Sequence, residues 1–185
     1  DNTWSALKGK EALKIEWDFG DNGTYDTEAY MQTLKENVTK KGKLIQEKGD
    51  IERAFQQADK IREAIYELPH LVHAPMEAPN ATARFENGTC EIWAPVQAPQ
   101  VTRKEVSELL EIDLENVKIN VTLLGGGFGR KSKPDFVLEA AWLAKETGAP
   151  VQVIWSREDD IRHSYYHAIS AQYLKGGLTR DGSVN

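Results

Sequence analysis

Leu123–Lys131 reads LLGGGFGRK, with an apolar run over Asn116–Leu124 leading into it and an amphipathic run over Pro134–Thr147 following it. The first run reads as a strand and the second as a helix. Glycine admits positive φ and close approach to the backbone. Gly125, Gly126, Gly127 and Gly129 can therefore turn neighbouring N–H groups toward one anion. Strand, glycine loop and helix is an arrangement suited to phosphate. The plainer reading is a tight strand-to-helix turn whose cations, Arg130 and Lys131, are solvated. A P-loop is excluded, because Arg130 stands where that motif needs glycine before its Lys-Ser pair. The dinucleotide fingerprint is excluded as well, since the glycine spacing differs and no suitably placed acid follows.

C-terminal to the loop, the helix has proline in its first turn, an apolar face of Phe136, Ala140 and Leu143, and Gly148 as its stop. Val151–Trp155 reads as a strand and Ser156–Ile161 as a charged loop. The acids within Arg157-Glu158-Asp159-Asp160 suit helix capping or ion pairing better than catalysis. Tyr165–Lys175 reads as a strand, and residues 176–185 begin a hairpin tipped by Asp181-Gly182.

On the N-terminal side, Thr102 and Glu105 match a capping box that starts a helix through Leu110. Ala81–Phe85 and Thr89–Ala94 flank Asn87-Gly88, the strongest short hairpin signal. Pro69, Pro75 and Pro79 exclude a regular helix over residues 68–80, and the apolar content of that loop points to burial. Asp50 suits the N-cap of a helix Ile51–Ala58. Lys60–Leu68 fits both a continuation of that helix and a two-sided strand. Thr27–Lys40 is an amphipathic helix with Thr27 as its cap. A short helix around Thr3–Leu7, a strand Leu13–Trp17 and a short strand Lys43–Gln46 complete the expectation. The fold class is α+β.

The composition, with 40% hydrophobic and 28% charged residues, suits a globular domain. A net charge of −6 gives nucleic acid or an acidic membrane surface no overall attraction. Cys90 is the single cysteine, which excludes an internal disulfide and a multi-cysteine metal site, and its strand setting reads as a small buried hydrophobe. The prolines between His70, His73 and Glu77 prevent the helical geometry of a zinc motif. Glu77 reads instead as an anchor for nearby backbone N–H groups. The chain starts at Asp1 without methionine and stops at Asn185 in a β-rich segment, so it reads as a piece of something longer.

Five segments together resemble the molybdenum-binding (beta) subunit of the xanthine dehydrogenase/aldehyde oxidase family, in particular its isoquinoline 1-oxidoreductase-type aldehyde dehydrogenases. They are TWSALKGKEALKIEWD (3–18), HAPMEAPNATA (73–83), IWAPVQAPQ (92–100), GGGFGRK (125–131) and WSREDD (155–160). The resemblance implies that 1–18 is the tail of an α/β hammerhead domain and 19–48 a linker with a helix. It implies that 49–185 is the N-terminal portion of a molybdopterin-binding domain with a mixed sheet and packed helices, and that Lys60–Leu68 is a strand. It implies a molybdopterin cofactor, as the cytosine dinucleotide, with Gln97, Gly126, Gly127, Phe128 and Gly129 facing it. The implied activity is hydroxylation of aldehydes or N-heterocycles, with electrons leaving through [2Fe–2S] clusters on a small partner subunit. The general base and the remaining cofactor contacts are expected in the remainder of the molybdenum-binding chain, so this piece alone is expected to be inactive. Ser132 replaces the glutamate of purine-oxidising members, which argues against xanthine. Export places such subunits in the periplasm or cell envelope rather than the cytoplasm. Two other readings are a free-standing anion- or nucleotide-binding module built on Gly125–Gly129, and a protein–protein module whose apolar faces lead to self-association.

Overall fold

The structure, a computed structural model, describes residues 2–184. The outermost positions of the expected end segments, 1 and 185, lie outside them. The chain forms two compact units. One comprises the residues up to Ile65 together with those from Ala171 onward; the other is Tyr66–Ser170.

The first unit holds helices α1 (Thr3–Ala12), α2 (Thr27–Val38) and α3 (Ile51–Gln57). Each is capped by a side-chain oxygen one residue ahead: Asn2, Asp26 and Asp50 accept from the N–H of Ser5, Ala29 and Arg53. Asp26, rather than Thr27, is therefore the cap of α2. Gly9 lies inside α1 instead of ending it. Strands β1 (Lys60–Leu68) and β6 (Ser170–Leu178) pair as a two-stranded sheet, which resolves the Lys60–Leu68 ambiguity in favour of the strand. Leu13–Trp17 and Lys43–Gln46 form no strand. β-Pattern is stabilised only by a neighbouring strand, and among the described residues neither segment has one.

The second unit is a four-stranded sheet in the order β4-β3-β2-β5, with helices on one face. Its strands are β2 (Asn80–Glu86), β3 (Thr89–Ala94), β4 (Val117–Val121) and β5 (Val151–Ile154). β2 pairs antiparallel with β3 and β5, and β3 pairs parallel with β4, so the sheet is mixed. Asn87 and Gly88, at φ 50° and 76°, make the tight turn between β2 and β3. Helix α4 (Pro99–Leu110) carries the crossover from β3 to β4, and α5 (Asp135–Thr147) joins β4 to β5. Phe136, Val137, Ala140, Ala141 and Ala144 of α5 pack on Ala81, Ala83, Cys90, Ile92 and Ala94 of the sheet. Alanines on both surfaces let the helix lie close.

Three local expectations are corrected. Helix α4 begins at Pro99, whose fixed φ suits the first helical position. Thr102 therefore lies inside the helix, its hydroxyl donating to the Ala98 carbonyl (3.0 Å), and no capping box forms there. A capping box does form in the expected charged loop: the Ser156 hydroxyl accepts from the Asp159 N–H, and the Asp159 carboxylate accepts from the Ser156 N–H (both 3.1 Å). It starts α6 (Arg157–His163), so the acids there cap and pair as expected but within a helix. The last strand begins at Ser170 rather than Tyr165, with an isolated bridge between Leu71 and His167 ahead of it.

Candidate functional site

The glycine loop leaves the end of β4 and closes in a 3-10 turn, Arg130–Ser132, before α5. Gly126, Phe128 and Gly129 all have positive φ, at 96°, 51° and 93°. For phenylalanine this conformation costs about 1–3 kcal/mol. The residue is 71% exposed, so core burial does not offset the strain. Strain kept without a packing return marks a functional-site candidate.

Gln97 follows β3 and faces this loop. Its backbone N–H donates to the Lys131 carbonyl (2.9 Å), and its Oε1 accepts from the Gly129 N–H (3.0 Å). That second bond engages the oxygen end of the carboxamide with the loop and leaves the NH2 as the end that it does not use. A Cβ on Gly127 would lie 2.5 Å from Gln97 Oε1, so the glycine is what admits the side chain. The structure thus brings Gln97, Gly127 and Gly129 into direct contact. Phe128 and Gly126 lie against each other on the same loop, a Cβ on Gly126 falling 3.3 Å from the Phe128 ring.

Glu77 grips the loop from the proline-bounded segment. Its N–H donates to the Gly125 carbonyl and its Oε2 accepts from the Gly125 N–H (both 3.0 Å). The same oxygen accepts from Lys131 Nζ at 2.5 Å. Glu77 is thus the backbone anchor that the sequence suggests. Burial pushes its carboxyl up, but Lys131, the Gly125 N–H and Asn80 outweigh that and hold it below the usual carboxylate range.

The loop's cations are buried, not solvated. Arg130 is 1% exposed and Lys131 0%. The guanidinium of Arg130 forks onto Asp135 (2.9 and 2.8 Å), its Nε donates to Ser164 Oγ (2.5 Å), and it lies 5.2 Å from the centre of the Trp155 ring. Arg157 donates to the carbonyls of Pro75 (2.5 Å) and Met76 (3.0 Å) and to the buried Asp160 (2.5 Å). The Trp155 N–H donates to the Pro79 carbonyl at 3.0 Å. Four separate stretches, around residues 75–79, 97, 125–131 and 155–160, therefore meet through hydrogen bonds. Lys131, Asp135, Ser164 and Arg157 carry much of this network; the sequence suggested a solvated cation at Lys131 and an ion-paired setting around Arg157, and gave Asp135 and Ser164 no role. Only the Arg130–Asp135 spacing is local enough to have signalled one.

His70 and His73 each donate from Nδ1 to a backbone carbonyl, of His167 (3.0 Å) and Tyr165 (3.1 Å) respectively. The His73 and His167 rings stack 4.2 Å apart. Burial, then the His167 charge, lower the pKa of His73. Among the described residues no three His, Cys, Asp or Glu side chains converge on a metal position. Cys90 is buried, and burial raises its thiol to about 11, as suits an inert core residue.

Residues 31–185 match the model of a family described as the molybdopterin cofactor-binding domain. The beta subunit of isoquinoline 1-oxidoreductase from Brevundimonas diminuta is 32% identical over 141 residues, covering 75% of this chain and 18% of that protein. The membrane-bound aldehyde dehydrogenase [pyrroloquinoline-quinone] of Gluconacetobacter polyoxogenes is 28% identical over 174 residues, covering 92% and 22%. The chain spans about a fifth of the length of these curated relatives. Among solved structures, aldehyde oxidoreductase from Desulfovibrio gigas superposes with a TM-score of 0.64 at 20% identity, over 74% of this chain and 15% of that one. Quinoline 2-oxidoreductase from Pseudomonas putida 86 gives 0.62 at 22%, over 73% and 18%. These likenesses show the same α+β fold.

Proposed function

The chain belongs to the molybdopterin cofactor-binding domain family of the xanthine dehydrogenase and aldehyde oxidase enzymes, and from that premise we propose that Gln97 and the Gly126–Gly129 loop face the molybdenum cofactor of an oxidoreductase. The observation that carries this reading is the Gln97–Gly129 contact, which engages the carboxamide oxygen and leaves the NH2 of this exposed residue as a donor that the loop does not use. Such a donor fits a ligand rich in oxygen acceptors.

Bound there, the molybdenum cofactor would supply the two-electron chemistry by which a carbon of an aldehyde or electron-poor N-heterocycle is hydroxylated. The chain's own residues orient and hold. Gln97 would donate toward an oxygen of the bound group, Gly127 makes room for the Gln97 side chain, and Phe128 would offer its exposed side chain beside it. Glu77 and Arg130 keep the loop in shape. No general base is assigned here, because Glu77 is committed to Gly125 and Lys131. The base is proposed to lie outside these 185 residues, in keeping with the share of the relatives that they span.

The same reading extends to the cytosine dinucleotide form of the cofactor, to a small [2Fe–2S] partner subunit as electron acceptor, and to a periplasmic or cell-envelope site of action. A relative is named as membrane-bound, and no helix among the described residues is long and apolar enough to cross a membrane. In this proposal residues 1–18 are the tail of a hammerhead domain, 19–48 a linker with a helix, and 49–185 the opening of the cofactor domain. The rival, a free-standing anion cradle, is weakened because the N–H groups of Gly125 and Gly129 are already spent on Glu77 and Gln97.

The test is metal analysis and aldehyde turnover on two samples made in a host that produces the cofactor: the full-length protein carrying this chain, and the 185 residues alone. The expected result is near-stoichiometric molybdenum and turnover in the first and neither in the second. A full-length protein free of molybdenum overturns the proposal.

A further inference from the structure

Glu77 closes the glycine loop on itself. It holds both backbone groups of Gly125 at the loop's entry, and its carboxylate pairs with Lys131 at the exit. The Lys131 side chain is fully buried. An ammonium in that position is tolerated only with its counter-charge in place, so Lys131 is tied to Glu77. The Lys131 carbonyl in turn accepts the Gln97 N–H, and Gln97 Oε1 accepts the Gly129 N–H. Lys131 therefore links Glu77 to Gln97, its ammonium pairing with the one and its carbonyl accepting from the backbone of the other.

We propose that Glu77 is a positioning residue for Gln97: through its ion pair with Lys131 it sets where the Gln97 carboxamide points. The purpose of this latch rests on the cofactor reading of Gln97, whereas its geometry does not. Nothing in the path brings Glu77 itself to a reacting atom. Its position is held in turn by Arg157, which grips the carbonyls of Pro75 and Met76 just ahead of it.

Hydrogen exchange read by mass spectrometry on the full-length protein tests the latch. Glu77→Gln keeps the shape of the side chain and leaves Lys131 without its counter-charge. The expected result is exchange at least tenfold faster in a peptide spanning residues 122–132, with a β2–β3 hairpin peptide (80–94) within twofold of wild type. Equal acceleration in both peptides would show a general loss of stability and would overturn the proposal, as would no change in the loop. The double variant Glu77→Gln/Lys131→Met removes the charge together with its partner. It is expected to fold, with the 80–94 peptide within twofold of wild type, while loop exchange stays at least tenfold faster because the ion pair is still missing. A double variant whose loop exchanges within threefold of wild type would show that the stranded charge, not the lost ion pair, opened the loop, and would overturn the proposal. The molybdenum content of the same samples separates the two readings. Loop acceleration in a protein that never holds molybdenum removes the cofactor reading alone, and molybdenum without loop acceleration removes the latch alone.

Discussion

Replacing Gly127 with alanine would push against Gln97 and little else. The new Cβ would lie 2.5 Å from Gln97 Oε1, 2.6 Å from its Cδ and 3.0 Å from Leu124 Cδ2. All three atoms are at the ends of flexible side chains, and Gly127 does not have positive φ, so no backbone must yield. The cheapest relief is for Gln97 to swing away, which forfeits the hydrogen bond from Gly129, a loss of about 1 kcal/mol. Alanine at a compatible backbone position returns about 0.4–1 kcal/mol by restricting the unfolded chain. The net destabilisation should therefore be under about 1 kcal/mol, below the 1–3 kcal/mol typical of a rigid overpacked site. A double-mutant cycle with Gln97→Ala, followed by urea denaturation, isolates the contact. In the Gln97→Ala background the obstacle is gone, and Gly127→Ala should become stabilising by about 0.4–1 kcal/mol. The same effect of Gly127→Ala in both backgrounds would refute the claim that this glycine exists to admit Gln97.

Other consequences can be checked separately. Arg130→Lys keeps the charge but loses the fork onto Asp135 and the Ser164 contact; unfolding should become easier by about 2 kcal/mol in urea titrations. Glu91 accepts from Lys118, Asn120 and Arg84, and these hold its carboxyl at about 2 against an ordinary 4.5. A depressed folded-state pKa stabilises above the ordinary value, and that stability is lost as pH falls from there through about 2; Glu91→Gln should flatten the stability–pH curve over that window. Cys90, buried and raised to about 11, should not react with an aromatic disulfide reagent at pH 8 until the protein is unfolded, and a fast native reaction would place it elsewhere.

Much of the second unit was legible in the sequence because its signals are local. Asn87-Gly88 carries its turn in its own backbone freedom, and Gly148, at φ 62°, ends α5 where it was expected to. Glu77 was correctly read as an anchor, but the burial expected of its segment holds only at Pro75 and Pro79, with Leu68, Leu71 and Met76 exposed. What was not legible depends on distant partners. Leu13–Trp17 has the pattern of a strand and, among the described residues, no strand to join. Lys60–Leu68 could not be assigned by periodicity and is a strand because β6 pairs with it. Arg130 and Lys131 look like surface cations until Ser164 and Glu77, remote in sequence, arrive to bury them. The start of α4 was misplaced because Thr102 and Glu105 spell a cap that Pro99 pre-empts by beginning the helix earlier. At the loop, composition suggested an anion cradle; the N–H groups of Gly125 and Gly129 turn to Glu77 and Gln97 instead, and the resemblance pointed to separated motifs that meet only in the fold.

The most direct test is to locate molybdenum by anomalous scattering in crystals of the full-length protein carrying this chain. One molybdenum peak is expected beside Gln97 and the Gly126–Gly129 loop, with an atom of the bound group within hydrogen-bond distance of the Gln97 amide nitrogen. A molybdenum peak with no ligand in reach of Gln97 or the glycine loop would contradict the cofactor reading.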